Sequence, residues 1–208
     1  AGAPGRRPRI AITGSAGTGK TTLVEALGRH LGLPVVPEHM RARIEGGLDL
    51  HSLGWDDFRA LVRALYDQHI DERDQALAVA GGVITDRSPL DTLAFWLHYG
   101  FAGDTAATDA LADDAVARMA PLDLVVVLPS GAIPFIEDGV RSPNPWLQLK
   151  YQILIEGLLD RFDQVFSKVF KGIETSYGTQ EEDIPLDWLK AVAEKYLSEE
   201  EMEKIKSL

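Results

Sequence analysis

Cysteine is absent from all 208 residues, which excludes disulfides, thiolate metal sites and cysteine nucleophiles together. No apolar run approaches the roughly 20 residues needed to cross a bilayer, so no membrane association through a spanning helix is expected. Residues 1–9 are basic but lack an apolar stretch of signal-peptide length. Residues 1–8 read as a flexible N-terminal arm, and a cytoplasmic protein is the expectation. Basic residues are outnumbered, 21 against 32, for a formal net charge of -11. A broad nucleic-acid surface needs basic patches, so no nucleic-acid partner is expected. A phosphate site needs only a local concentration of positive potential, and the acidity leaves that open. The five histidines show no i, i+4 pair or other ligand spacing, so no metal is anticipated beyond one held with a nucleotide.

What the chain does hold is material for one substantial core. Hydrophobic residues make up 45% and charged residues 25%, ordinary for a globular domain of this length. An apolar run over 9–13 ends on a glycine-rich turn, after which Leu23, Ala26, Leu27 and Leu31 follow helical spacing. Residues 33–37 read as a second strand, with Glu38 at its carboxyl end. A long helix is predicted over 55–80, its stripe formed by Phe58, Leu61, Val62, Leu65, His69 and Ile70, with Gly81-Gly82 closing it. A third strand over 83–85 delivers Asp86-Arg87-Ser88. Helices are expected over 89–99, 105–119 and 146–162, and 122–128 reads as a buried strand bounded by prolines. Residues 130–145 are rich in Pro and Gly and read as loop, and 165–175 offer a last strand. Strands alternating with helices predict an α/β fold of three layers, a parallel sheet flanked by helices.

The composition changes late in the chain. No arginine follows Arg161, and only Lys20 and Lys150 precede Lys168. Residues 176–208 read as a helical C-terminal segment of two Lys/Glu-rich helices, with Ser198 and Glu201 as a capping box for the second. The switch fits either drift within one protein or a segment of different origin joined to a domain over 9–175.

One motif stands above the rest. Gly14-Ser15-Ala16-Gly17-Thr18-Gly19-Lys20-Thr21 fits G-x-x-x-x-G-K-[ST] at every position. With glycine near 7% of residues, a chance match is expected in only about one chain in a hundred of this length. Its place between a strand and a helix is the place the mechanism demands, and it defines a P-loop NTPase fold. The glycines let successive backbone N–H groups face a phosphate, and the helix N-terminus adds partial positive charge. Lys20 is positioned for the β- and γ-phosphates and Thr21 for Mg²⁺. Thr22 completes the candidate nucleotide-binding set, by packing or capping more than by direct contact. ATP is favoured over GTP because no guanine-reading N-K-x-D motif is present.

Ligands of open parallel sheets bind beyond the carboxyl ends of the strands. Glu38, Asp86-Arg87-Ser88 and the loop after Leu128 all fall there. A carboxylate near the γ-phosphate can accept a proton from an attacking hydroxyl or hold the water shell of Mg²⁺. An adjacent arginine can offset charge on the transferred group. Each residue also has a plainer reading. Glu38 could cap the segment after Pro37, Asp86 could cap the helix opening at Pro89, and Arg87 could form only an ion pair. Arg141 and Lys150 could be surface charges, and Trp55, Trp96 and Tyr99 either core or a stacking platform for a base.

At Pro37-Glu38-His39-Met40-Arg41 and Asp86-Arg87-Ser88-Pro89 the chain resembles the nucleoside-kinase-like P-loop proteins. These include the nicotinamide riboside kinase domain of NadR-type proteins and related AAA-type ATPase/kinase domains, with a more distant similarity to deoxynucleoside kinases. The resemblance takes in Asp138-Gly139-Val140-Arg141 and covers roughly residues 9–162. It implies that Glu38 is the base or the hydroxyl-binding carboxylate, and that Arg87 lies beside the acceptor hydroxyl. Asp86 would serve Mg²⁺ and Arg141 would close over the phosphates.

Two functions follow as expectations. One is Mg²⁺-dependent phosphoryl transfer from ATP to a hydroxyl of a small nucleoside-like molecule. The other is a nucleotide-binding regulatory ATPase whose 130–145 stretch is read by a protein partner. A nucleoside monophosphate kinase is a third, with Arg41, Arg43, Arg59 and Arg63 as candidate ligands of an acceptor phosphate.

Overall fold

The computed structural model describes residues 7–130, 144–162 and 169–171. Five strands, β1 (Arg9–Thr13), β2 (Val35–Val36), β3 (Val83–Asp86), β4 (Leu124–Val127) and β5 (Val169–Lys171), form one sheet in the order β2-β3-β1-β4-β5. Every pairing in it is parallel. The helices are α1 (Lys20–Leu31), α2 (His39–Glu45), α3 (Trp55–Ala80), α4 (Pro89–His98), α5 (Thr105–Met119) and α6 (Pro145–Arg161).

Alternation along the central strands produces three layers, because successive side chains of a strand point to opposite faces. Ile10 and Ile12 of β1, with Leu124 and Val126 of β4, pack against Leu23, Val24, Leu27 and Leu31 of α1. Ala11, Val125 and Val127 face the other way, into a larger core built from α3, α4, α5 and α6. With both faces covered, β4 is apolar throughout, the pattern of a strand buried in a parallel sheet. Gly28 lets α1 approach β2 closely, since a Cβ there would lie 2.3 Å from Val35 Cγ2. Gly81 ends the 26-residue α3 in the left-handed conformation at φ 72°.

The predicted bounds hold for β1, α3 and α5, and α1 spans the four apolar residues read at helical spacing. The predicted strand over 33–37 narrows to Val35–Val36, and the one over 122–128 to Leu124–Val127. Helix α2 was not foreseen; none of its residues is buried, so it carries no apolar stripe to read. The expected loop over 130–145 lies largely outside the described residues, and the expected helices of 176–208 wholly so. Among the described residues no helix is long and apolar enough to cross a membrane.

Candidate functional site

The phosphate loop leaves β1 at the centre of the sheet. Gly14 has φ +134°, and a Cβ there would sit 2.6 Å from the Leu128 carbonyl oxygen, so both backbone and space require glycine. Gly17 and Gly19 are left-handed as well, at φ 76° and 79°, and Gly19 is the residue from which α1 starts. Ser15 and Thr18 are buried, Ala16 and Gly17 half-buried, and Thr22 is exposed on the first turn of α1. Lys20 is buried, with Nζ donating to the Ser15 carbonyl at 2.5 Å. Such a lysine is held at the mouth of the loop by the loop's own backbone.

Because β1 and β3 are direct neighbours, with Ile12 opposite Asp86, the end of β3 is brought to the start of α1. Thr21 Oγ1 donates to Asp86 Oδ2 at 2.7 Å. The other carboxylate oxygen, Asp86 Oδ1, is buried without a hydrogen-bond partner. A hydroxyl and a carboxylate joined this way, with one acceptor oxygen unsatisfied, suit Mg²⁺, which takes one or two protein oxygens and leaves its other positions to water and phosphate. Among the described residues no group of three or more His, Asp or Glu side chains could hold a metal by itself. The capping role considered for Asp86 belongs instead to Ser88, the N-cap of α4.

Glu38 does cap a helix. Its carboxylate accepts from Met40 N at 2.7 Å and Arg41 N at 3.2 Å, fixing the acid at the first turn of α2. This orients Glu38 and leaves further lone pairs for another donor.

Arg87 is the only non-glycine with positive φ among the described residues, at 97°, a conformation sustained only by surrounding structure. Its Nη1 donates to the Gly14 carbonyl (3.0 Å), Asp91 Oδ1 (3.1 Å) and Tyr151 Oη (3.1 Å). Asp91 is the hub. It also accepts from Thr13 Oγ1 at 2.8 Å, Ser88 N and Oγ at 2.7 Å each, and Tyr151 Oη at 2.8 Å. Burial favours a neutral Asp91, but Arg87 and the hydrogen bonds from Thr13 and Ser88 outweigh it and hold its pKa below the ordinary value. Burial likewise opposes the Arg87 charge, yet Tyr151, Asp91, Glu38 and Asp86 raise its pKa. Burial and Asp91 keep the Tyr151 phenol protonated. The next residue of α6, Gln152, accepts from Ser15 N at 2.7 Å and donates to the Leu128 carbonyl at 3.1 Å. Asp91, Tyr151 and Gln152 were missed in the sequence. Ser88-x-x-Asp91 fits a capping box and could have pointed to Asp91; nothing local marks the other two.

These groups meet in one cleft of about 260 Å³. Lys20, Thr21, Glu38, Arg41, Asp86 and Arg87 all line it, together with Phe95, His98, Tyr99 and Tyr151. Of the three aromatics considered as stacking platforms, Tyr99 alone lines it. Trp96 is buried, and Trp55, 57% exposed, packs edge-on against Phe101. A narrower recess of about 70 Å³ continues behind Glu38 and Arg87 toward His39 and His69. Arg41, although in the cleft wall, pairs with Glu45; Arg59 pairs with Asp104 and Arg63 with Asp67, while Arg43 is exposed. Lys150 Nζ donates to the His98 carbonyl, tying α6 to α4. Arg141 lies outside the described residues.

A glycine-rich loop between a central parallel strand and its helix, with lysine and threonine opening that helix, defines the P-loop NTPase fold. The chain belongs to the AAA domain family, whose model matches residues 9–175. Solved structures with this fold include the NadR protein in complex with NR, 22% identical with a TM-score of 0.63, where 93% of this chain covers 51% of that chain. The NadR protein in complex with NAD and AMP-PNP is 23% identical with a TM-score of 0.61, 91% of this chain covering 49% of that one. Thymidylate kinase from Ehrlichia chaffeensis is 16% identical with a TM-score of 0.55, at 92% and 99% coverage. This chain therefore spans about half the length of the NadR chains. No curated protein matches it.

Proposed function

We propose that the cleft transfers a phosphoryl group from ATP to a hydroxyl of a small nucleoside-like molecule, in a cytoplasmic enzyme. The observation that supports this reading is the shared cleft: Lys20 and Thr21 of the glycine-rich loop and its helix line the same space as Glu38 and Arg87. A carboxylate and an arginine in the same space as the loop are the groups that a hydroxyl acceptor would need. The similarity to NadR and thymidylate kinase structures, proteins whose names and ligands point to nucleoside chemistry, adds support.

In this reading the loop amides and Lys20 hold the β- and γ-phosphates. Thr21 and Asp86 hold Mg²⁺, which when bound offsets negative charge on the phosphates. Glu38, oriented by its cap bonds, accepts the hydrogen bond of the acceptor hydroxyl and takes its proton. Arg87 stays charged beside it and stabilises the developing phosphoryl charge. Catalysis is then mostly positioning and electrostatics.

The test is ATP-dependent phosphorylation of a nucleoside panel that includes nicotinamide riboside, read by mass. One nucleoside gaining a single phosphate, with ADP formed in equal amount, is the expected result. Slow ATP hydrolysis that no nucleoside or related alcohol accelerates would contradict the proposal and favour the regulatory ATPase.

A further inference from the structure

Glu38 sits between two elements that grip the fold weakly. Before it, β2 is two residues long and lies at the edge of the sheet, paired with β3. After it, α2 has no fully buried residue, and Met40 packs only partly against the core. The cap bonds from Met40 N and Arg41 N fix the carboxylate relative to α2. They do not fix α2 relative to the sheet.

Helix α3 holds the first turn of α2 from outside. The side chain of His39, the residue after Glu38, is 12% exposed, and its Nε2 lies 3.0 Å from Glu72 Oε2. The contact meets the distance of an ion pair without the alignment of a hydrogen bond. Glu72 is oriented for it, because its Oε1 accepts from Gln68 Nε2 at 2.8 Å, one turn earlier on α3. His69, three residues before Glu72, meets the His39 ring edge-on, with centroids 6.0 Å apart. The imidazole is thus set against two side chains on one face of α3. With Glu72 37% exposed, such a pair adds little to stability. Its effect is on place, since a shift of about 1 Å in a reacting group can cost about a hundredfold in rate.

We propose that Glu72, through His39, is a positioning residue for transfer: the contact between α3 and α2 keeps Glu38 where it meets the acceptor hydroxyl. Glu38 and His39 line the same recess, whereas Glu72 lines neither that recess nor the cleft. Its action is therefore at one remove. The assignment rests on the proposed role of Glu38 and adds to it a residue from another helix.

Glu72→Ala in the full-length chain is the test, because alanine suits a helix and the position is partly exposed. The kcat for phosphoryl transfer is expected to fall at least about tenfold, with ATP affinity within about twofold of the parent. In a Glu38→Gln background the same change should cost less than about twofold further, since the group it positions is already disabled. An unchanged kcat, or an equal loss in both backgrounds, would overturn the proposal. Hydrogen exchange gives a reading that needs no transfer. The Met40 and Arg41 amides, which donate to Glu38, should exchange at least about threefold faster in Glu72→Ala, while the amides of α3 keep the parent's protection. Unchanged exchange at Met40 and Arg41 would overturn the proposal, as would protection lost along α3. A parent that phosphorylates no nucleoside would instead sink the proposed function, and exchange would still decide whether Glu72 holds the turn that Glu38 caps.

Discussion

The two groups of residues that line the cleft are built differently. The phosphate side is a contiguous run, residues 14–21, whose shape comes from its own glycines and whose lysine rests on its own carbonyl. The proposed acceptor side is assembled from distant pieces: Glu38 after β2, Arg87 after β3 and Tyr151 on α6 line the cleft, and Asp91 on α4 pairs with Arg87. Arg87 holds its unusual backbone because Asp91, Tyr151 and Gly14 restrain its guanidinium. A change on the phosphate side should therefore alter chemistry with little effect on folding. On the acceptor side it should alter both.

The largest effect expected is on chemistry alone. Lys20→Met should lower phosphoryl transfer by about a thousandfold, the upper range for losing one charged donor to the transition state. Its denaturant midpoint should stay close to that of the parent. A large fall in midpoint would erase the contrast between the two groups.

Asp91→Ala is the counterpart on the other side. It leaves the Arg87 charge buried without its partner and should destabilise the fold by about 3–5 kcal/mol, measured by denaturant unfolding. Asp91→Asn, which keeps the shape and part of the hydrogen bonding, should cost less. Equal, negligible losses would show that Arg87 does not depend on this network.

Gln152→Leu sharpens the comparison, because Gln152 is the acceptor-side contact that reaches into the phosphate loop. The variant leaves the buried Ser15 N–H unsatisfied and should cost about 1–3 kcal/mol. It should also weaken ATP binding, which Asp91→Asn should not.

The smallest effect is on pH dependence. Burial, aided by His39, lowers the pKa of His69 below 6.5, and Arg87 with its neighbours holds Asp91 below 3.8. The unfolded chain therefore takes up each proton at a higher pH than the folded one, so acid favours unfolding. The His69 contribution is full above 6.5 and is lost as pH falls through its folded value; that of Asp91 is full above 3.8 and lost below. His69→Gln should flatten the first decline in a stability–pH curve and leave the second unchanged.

The same contrast explains what could be read in advance. The phosphate loop was legible because its chemistry needs neighbouring residues at fixed spacing, β1 because it is an apolar run ending on that loop, and α1 and α3 because their apolar stripes repeat over several turns. Glu38, Asp86 and Arg87 were legible as strand-end residues, and Glu38 also as a cap of the segment after Pro37, but not the strained backbone of Arg87. Asp91, Tyr151 and Gln152 looked like ordinary helix residues; only the packing of α4 and α6 on the sheet brings them to the loop. Helix α2 escaped notice because it is short and none of its residues is fully buried, Met40 alone packing partly against the core.

The central claim is that Glu38 serves transfer while the loop serves binding. It is tested most directly by measuring ATP affinity and phosphoryl transfer side by side in Glu38→Gln. Transfer should fall by about a hundredfold or more, with ATP affinity within about twofold of the parent, since the Glu38 carboxylate acts only once a hydroxyl is in place. Parallel loss of affinity and transfer would contradict the account and return Glu38 to the role of a helix cap.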